Sequence, residues 1–109
     1  MENEAAVFKV LAEPTRLRLM VLLSIQGETC VCKLGQALDV PDFKVSRHLG
    51  IMRSAGLVEA RREGTWMHYK LSNARSKLEK CLQQCFGECL ATHTTVKDDL
   101  KRLSKANCK

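Results

Sequence analysis

Two cysteines one residue apart, Cys30 and Cys32 in the run Thr29-Cys30-Val31-Cys32-Lys33, are the side chains of this sequence best equipped for chemistry. Thiolates are soft donors that select soft ions over hard ones, so a pair at this spacing could hold a soft metal or a metalloid. Taken alone a Cys-x-Cys step says little, because cysteine also serves as a small, semi-buried packing residue. Its position adds weight: it stands at the start of a segment that reads as a helix-turn-helix. A second set, Cys81, Cys85 and Cys89, recurs at four-residue intervals, and Cys108 stands alone near the end. Helical neighbours four apart have Cβ atoms about 5–6 Å from each other, so this set forms a slowly turning thiol stripe.

Composition bounds what these thiols can serve. A chain of 109 residues is one domain, and 45% apolar with 28% charged residues is a globular balance. No apolar run approaches the length that crosses a bilayer. The N-terminal Met1-Glu2-Asn3-Glu4 lacks the basic-then-apolar order of a signal peptide, so a cytoplasmic protein is expected, without a membrane partner. Six cysteines in such a compartment argue against a disulfide framework and for ligands, reactive thiols or core residues. The net charge of +6 and the pI near 9.2 favour a polyanionic partner, nucleic acid first, although a merely soluble basic protein fits charge alone equally well. A cysteine-based enzyme or metalloid carrier fares poorly. There is no Cys-x-x-Cys motif, no glycine-rich phosphate loop and no length left for a substrate domain. No catalytic activity and no organic cofactor are expected.

The elements that must position these residues follow from periodicity. Ala6, Val7, Val10 and Leu11 recur at helical spacing, and Pro14 opens a second, strongly apolar helix that Gly27 ends. Leu17, Met20, Val21 and Ser24 lie on one face of it, which predicts a central core helix. Thr29 can cap a helix from about Cys30 to Leu38. After the turn Asp39-Val40-Pro41-Asp42, in which either aspartate could cap, a helix covers roughly 42–54 and stops at Ala55-Gly56. The period then changes. Residues 57–62 read as a strand, Glu63-Gly64 as a tight turn and Trp66–Leu71 as a second strand, forming a wing. From Asn73 the chain is helical again, with Leu78, Cys81, Leu82, Cys85, Phe86, Cys89 and Leu90 in an apolar stripe. A break falls near 91–95, and a last helix covers about 96–106. The fold class is therefore mainly α with a β-hairpin wing: helix-turn-helix about 30–54, wing about 57–71, C-terminal helices about 74–106.

The helix over 42–54 has the face a DNA reader needs. At about 100° per residue, Val45, Leu49 and Met52 point to the core and Arg47 points nearly opposite. Lys44 and Ile51 flank Arg47 on one side, Ser46 and Arg53 on the other. Arginine can contact guanine bidentately, and serine can bond bases or phosphate. An ordinary solvated amphipathic helix has the same pattern, but the turn before it and the hairpin after it favour the reading head. His48, at the edge of the apolar arc, is either a packed histidine or a DNA contact. Arg61 and Arg62, before the wing tip, could reach phosphates or a minor groove, or be solvated strand-end charges. Trp66 and Tyr69 are expected to pack under the wing.

These motifs together resemble one family. Glu28-Thr29-Cys30-Val31-Cys32-Lys33-Leu34 resembles the metal-box motif of the ArsR/SmtB metal-responsive repressors. Val45-Ser46-Arg47-His48-Leu49, with Ser54-Ala55-Gly56-Leu57-Val58, resembles their recognition helix and its exit. Arg62 to Leu71 resembles their wing, and Ala12-Glu13-Pro14-Thr15-Arg16-Leu17 their early helix. The match covers roughly residues 5–72. The resemblance implies a winged-helix homodimer, paired through N- and C-terminal helices, that represses at an imperfect inverted repeat and leaves it when an inducer binds. The nearest branch is the arsenic-responsive one, which implies arsenite or antimonite held by Cys30 and Cys32. The sequence departs from that branch at Gly35, where a third cysteine is usual. It also carries no cysteine before residue 30, whereas cadmium- and lead-sensing relatives add cysteines from an N-terminal extension, and after the wing only His93 answers to the Asp and His ligands of zinc sensors.

Two residues apart on a helix point about 200° away from each other. Cys30 and Cys32 are therefore expected to distort the first helical turn when they grip one atom, coupling ligand to DNA release. Three readings stay open for Cys81, Cys85 and Cys89: packing of a dimer seam, an arsenic site or a share in one, or redox-active thiols. A thiol redox or reactive-sulfur sensor on the same scaffold is the competing function.

Overall fold

The computed structural model describes residues 1–108. Helices and strands follow in the order α1 (Glu2–Leu11), α2 (Pro14–Gln26), β1 (Thr29–Cys30), α3 (Val31–Leu38), α4 (Asp42–Ser54), β2 (Val58–Glu63), β3 (Trp66–Leu71), α5 (Lys77–Cys89) and α6 (Thr94–Lys105). Among the described residues no helix is long and apolar enough to cross a membrane.

Pro14 opens α2 as periodicity predicts, with Glu13 as its N-cap and Gly27 closing it at φ 82°. The face predicted for this helix was too narrow. Leu19, Met20, Val21, Leu22 and Leu23 are all buried, whereas Leu17 and Ser24 are only partly covered. The physical reason is enclosure: α1, α4, α5 and α6 all pack on α2, so its second half has almost no solvent face. In α4, Val45, Leu49 and Met52 are fully buried, as their spacing predicts.

The helix-turn-helix differs in its caps. Thr29 does not cap α3; it lies in β1, and its hydroxyl donates to the Gly27 carbonyl at 2.9 Å. The N-cap is Cys30, without a side-chain bond, and α3 starts one residue later than predicted. Asp39 ends α3 in the left-handed region at φ 56°, a conformation that aspartate tolerates better than most residues. Asp42 sits in the first turn of α4, where a negative charge is favoured by the helix dipole, and Pro41 holds the cap position.

The wing is an antiparallel pair in register Val58↔Leu71 through Glu63↔Trp66. Its tip is Gly64-Thr65, one residue later than predicted, with Gly64 at φ 61°. β1 adds a third strand that periodicity did not reveal: Thr29 pairs with Tyr69 and Cys30 with His68. Tyr69 is buried under the wing as expected, but Trp66 is not; it stays 37% exposed at the strand end beside the turn.

The C-terminal helix is strapped across α3. Asp99 is fully buried in α6 and accepts from Arg18 at 3.0 and 2.7 Å and from Arg102 at 2.8 Å. The same arginines donate onward to the Leu38 and Ala37 carbonyls at the end of α3. One carboxylate thus joins α2, α3 and α6. Removing one member of such a buried group exposes the others as uncompensated charge. At the opposite side, Arg75 bonds both Glu79 of α5 and the Ala55 carbonyl that follows α4.

Candidate functional site

The first thiol pair straddles a strand-to-helix step. Cys30 is extended at φ −78°, ψ 153°, its backbone in the sheet and its side chain buried, while Cys32 lies in the first turn of α3. The expected helical divergence of the two thiols is therefore corrected. Cys30 lies outside the helix, so a shared ligand does not require α3 to unwind.

Cys108 does not stand alone. It forms a disulfide with Cys32 across 76 residues of sequence, with Cα atoms 6.1 Å apart. This bond also corrects the expectation of a chain without disulfides. Gln36, one turn after Cys32, holds the tail beside it. Its amide nitrogen donates to the Asn107 carbonyl at 2.9 Å, and its amide oxygen accepts from the Asn107 N–H at 3.0 Å. The same nitrogen lies 3.3 Å from Cys32 Sγ and 3.5 Å from Cys108 Sγ. Cys30 and Cys108 line one surface cavity of about 330 Å³, shared with Glu28, Lys33, Trp66 and His68. Among the described residues no group of three Cys, His, Asp or Glu side chains stands assembled as a metal site.

Gly35 is crowded. A Cβ there would collide with Asp42 Oδ1 and come within 3.0 Å of the Val40 carbonyl oxygen. The tight turn into α4 thus leaves a side chain at this position only the space that a shift of the Asp42 carboxylate would open.

The second thiol set is elsewhere. Cys81, Cys85 and Cys89 are exposed on α5, which packs chiefly on α2 rather than on the start of α3. Cys85 Sγ lies 3.6 Å from Cys89 Sγ, and this hydrogen bond holds the Cys85 thiol above its ordinary pKa, protonated at neutral pH. The sequence stripe is real as a helix face, but within one chain it does not meet Cys30 and Cys32.

The candidate DNA surface divides into free and engaged side chains. Lys44, Ser46 and Arg47 of α4 and Arg62 of β2 are exposed. The three cations among them form no ion pair among the described residues. Arg61 is engaged instead, donating to Glu28 and Glu63 at 2.7 Å each, which raises its own pKa and lowers that of Glu63. His48 faces inward, with Nδ1 3.3 Å from an Arg16 guanidinium nitrogen and 3.7 Å from Glu13 Oε2. Burial acts to raise the Glu13 pKa, but the N–H bonds of Arg16 and Thr15, with nearby His48 and Arg16, outweigh it and lower the value. Sequence reasoning missed Phe43, which is 68% exposed and stands one helical turn before Arg47 on the same face. Its i, i+4 relation to Arg47 was the available signal. It also missed Gln36 and Cys108, whose roles depend on a distant part of the chain.

Comparison with known proteins places this geometry. The profile described as "Bacterial regulatory protein, arsR family" matches residues 13–60. An arsenical resistance operon repressor of Escherichia coli is 52% identical over 66 residues, covering 61% of this chain and 56% of that protein. The chain thus spans about half the length of that curated relative. An uncharacterized HTH-type transcriptional regulator of Methanocaldococcus jannaschii is 43% identical over 76 residues, 70% of this chain and 85% of the relative. Among solved structures, the homodimeric winged helix-turn-helix DNA-binding domain of a possible ArsR-family regulator from Mycobacterium bovis superposes with a TM-score of 0.66. It is 35% identical and covers 85% of this chain and 86% of that one.

Proposed function

The chain belongs to the ArsR family of bacterial regulatory proteins, a winged helix-turn-helix family, and on that premise we propose that it is a transcriptional repressor whose cysteine thiols take arsenite or antimonite and thereby release DNA. The observation that carries this reading is the place of Cys30 and Cys32. They sit where β1, hydrogen-bonded into the wing sheet, becomes α3, the first helix of the helix-turn-helix. The donor set fits the inducer: all the nearby cysteine donors are sulfur, the soft ligand that trivalent arsenic and antimony select.

In the DNA-bound form α4 enters the major groove. Arg47 reads a base edge, Phe43 presents its ring to the groove floor, and Lys44, Ser46 and Arg62 hold phosphates. His48 and Arg61, engaged with Glu13 and Glu28, set the pose of α4 and the wing rather than reaching outward. A second copy pairs through α1 and α5. In support, α5 has no fully buried residue, and Leu82 and Phe86 are only partly covered where they pack on this chain's own core. Two α4 helices related by a two-fold axis then read an imperfect inverted repeat. This role requires no catalysis and no organic cofactor.

The test is a fluorescence-anisotropy titration of the operator complex with arsenite. Wild type is expected to release DNA, and a Cys30→Ser, Cys32→Ser variant to hold it. Release by that variant at the same arsenite concentration would sink the thiol mechanism. A second reading, a thiol redox or reactive-sulfur sensor, is favoured by the Cys32–Cys108 disulfide. Release of DNA by a mild oxidant in the absence of any metalloid would select it.

A further inference from the structure

We propose that Cys108 is the third thiol of the inducer site, joining Cys30 and Cys32 in a three-sulfur set that closes the C-terminal tail over the start of α3. This rests on the inducer reading above and names the ligand that reading leaves open.

Three observations converge on it. The position after Cys32 where a third thiol would be local is Gly35, which carries no side chain, and the Asp42 carboxylate and Val40 carbonyl crowd it. The thiols of α5 lie on a helix that packs on α2. Cys108 is the remaining cysteine, and it already shares a bond with Cys32 and a cavity with Cys30.

The position of Cys108 does not depend on the disulfide alone. Gln36 pairs with both backbone groups of Asn107, fixing the residue just before Cys108. Behind it α6 is tied to the end of α3 through Asp99, Arg18 and Arg102. Opening the disulfide therefore leaves the two sulfurs as neighbours. A ligand held by a tail already in place avoids most of the entropy of closing a long loop.

The chemistry balances without any change in the oxidation state of arsenic. A thiol reductant, itself oxidised to a disulfide, first supplies two electrons and two protons to the Cys32–Cys108 bond; a phosphine supplies the two electrons while water supplies the two protons and its oxygen leaves as phosphine oxide. Arsenious acid then exchanges three As–O bonds for three As–S bonds. The three thiol protons leave with the three hydroxyls as three waters. In the oxidised form two of the three sulfurs are bonded to each other and cannot take part, so arsenic binding requires the reduced tail.

The experiment is arsenic K-edge X-ray absorption on the full chain, reduced with a phosphine, which does not compete as a thiol, and loaded with arsenite. Wild type is expected to show three sulfur neighbours. Cys108→Ser is expected to show two sulfurs and one oxygen, and Cys81→Ser, Cys85→Ser, Cys89→Ser three sulfurs as in wild type. Gln36→Ala should keep three sulfurs but bind arsenite about tenfold more weakly, the low end of what a ligand-orienting partner contributes. If Cys108→Ser retains three sulfurs while its circular dichroism is native, the assignment is overturned. A wild type without arsenic–sulfur bonds would instead overturn the inducer reading itself, so the two failures are separable.

Discussion

Replacing Asp99 by alanine strikes a buried carboxylate that joins three helices. Asp99 is fully buried and accepts three hydrogen bonds from two arginines. Its removal leaves two cations facing an apolar seam, and breaking a buried ion pair in this way costs about 3–5 kcal/mol. The low end applies here. The Arg18 and Arg102 side chains are 23% and 43% exposed, and both keep a carbonyl partner, so water can recover part of the loss. About 3 kcal/mol is a large share of the roughly 5–15 kcal/mol that stabilises a domain. Urea unfolding followed by circular dichroism reads it: with a slope of about 1–3 kcal/mol per molar, the midpoint falls by about 1–3 M. Protein concentration must be matched, because a dimer gains stability by mass action. A companion variant, Arg18→Met with Asp99→Leu, exchanges the pair for apolar packing and should regain most of the loss. A midpoint shift below about 0.3 M for Asp99→Ala, at an unchanged slope, would refute the view that this carboxylate fastens α6 to α3.

The other expectations follow from single contacts. Arg47→Ala should weaken operator binding by about 1–3 kcal/mol without altering the unfolding curve, measured by anisotropy and thermal melts. Arg62→Ala should lower the slope of log affinity against log salt by about 1, whereas Arg61→Ala should change it less, because Arg61 is occupied by Glu28 and Glu63. Gly35→Ala should destabilise by about 1–3 kcal/mol, since Asp42 must swing aside and the Val40 carbonyl, 3.0 Å from the added Cβ, must shift with the turn; an unchanged urea midpoint would show that the turn has slack. The hydrogen bond from Arg75 holds the Glu79 carboxyl below its ordinary value. A depressed carboxylate contributes stability above its unfolded pKa, about 4.3, and loses it as pH falls through the folded value. Melting temperature should therefore drop more steeply below about pH 4.3 in wild type than in Glu79→Gln, and parallel curves would count against the ion pair.

Local patterns carried the parts of this fold that repeat within a few residues. Val45, Leu49 and Met52 mark the buried side of α4 by spacing alone, and alternation through Trp66–Leu71 marks the second wing strand. Long-range partners were invisible. β1 is two residues long and has no period; only pairing with β3 makes it a strand. Asp99 sits in a polar run, and although Val96, Asp99 and Leu103 share a buried helix side, its partner Arg18 is 81 residues away. Cys108 has no neighbour in sequence that explains it, because Cys32 is 76 residues distant. The residues proposed to meet DNA were legible as an exposed helix face and wing strand, but not as free or engaged, since Glu28 and Glu13 reach Arg61 and His48 only through folding.

The unseen strand bears most on how thiol chemistry could reach DNA. Because Cys30 is extended and outside α3, a change at its sulfur is transmitted first through β1 rather than by unwinding a helix. The Cys30 backbone pairs with His68, and His68 lies opposite Arg61 on β2. Glu28, two residues before Cys30, holds that same Arg61 at 2.7 Å. A pull on Cys30 therefore loads the wing by two routes, the β1–β3 ladder and the Glu28–Arg61 bridge, while a pull on Cys32 loads α3 and the turn that aims α4. On the proposed function, the two thiols would address the wing and the helix-turn-helix separately. Glu28→Gln should loosen one route only: arsenite binding, counted as arsenic–sulfur bonds, stays intact, while the arsenite concentration that releases DNA rises. Coupling carried by α3 alone would leave that concentration unchanged.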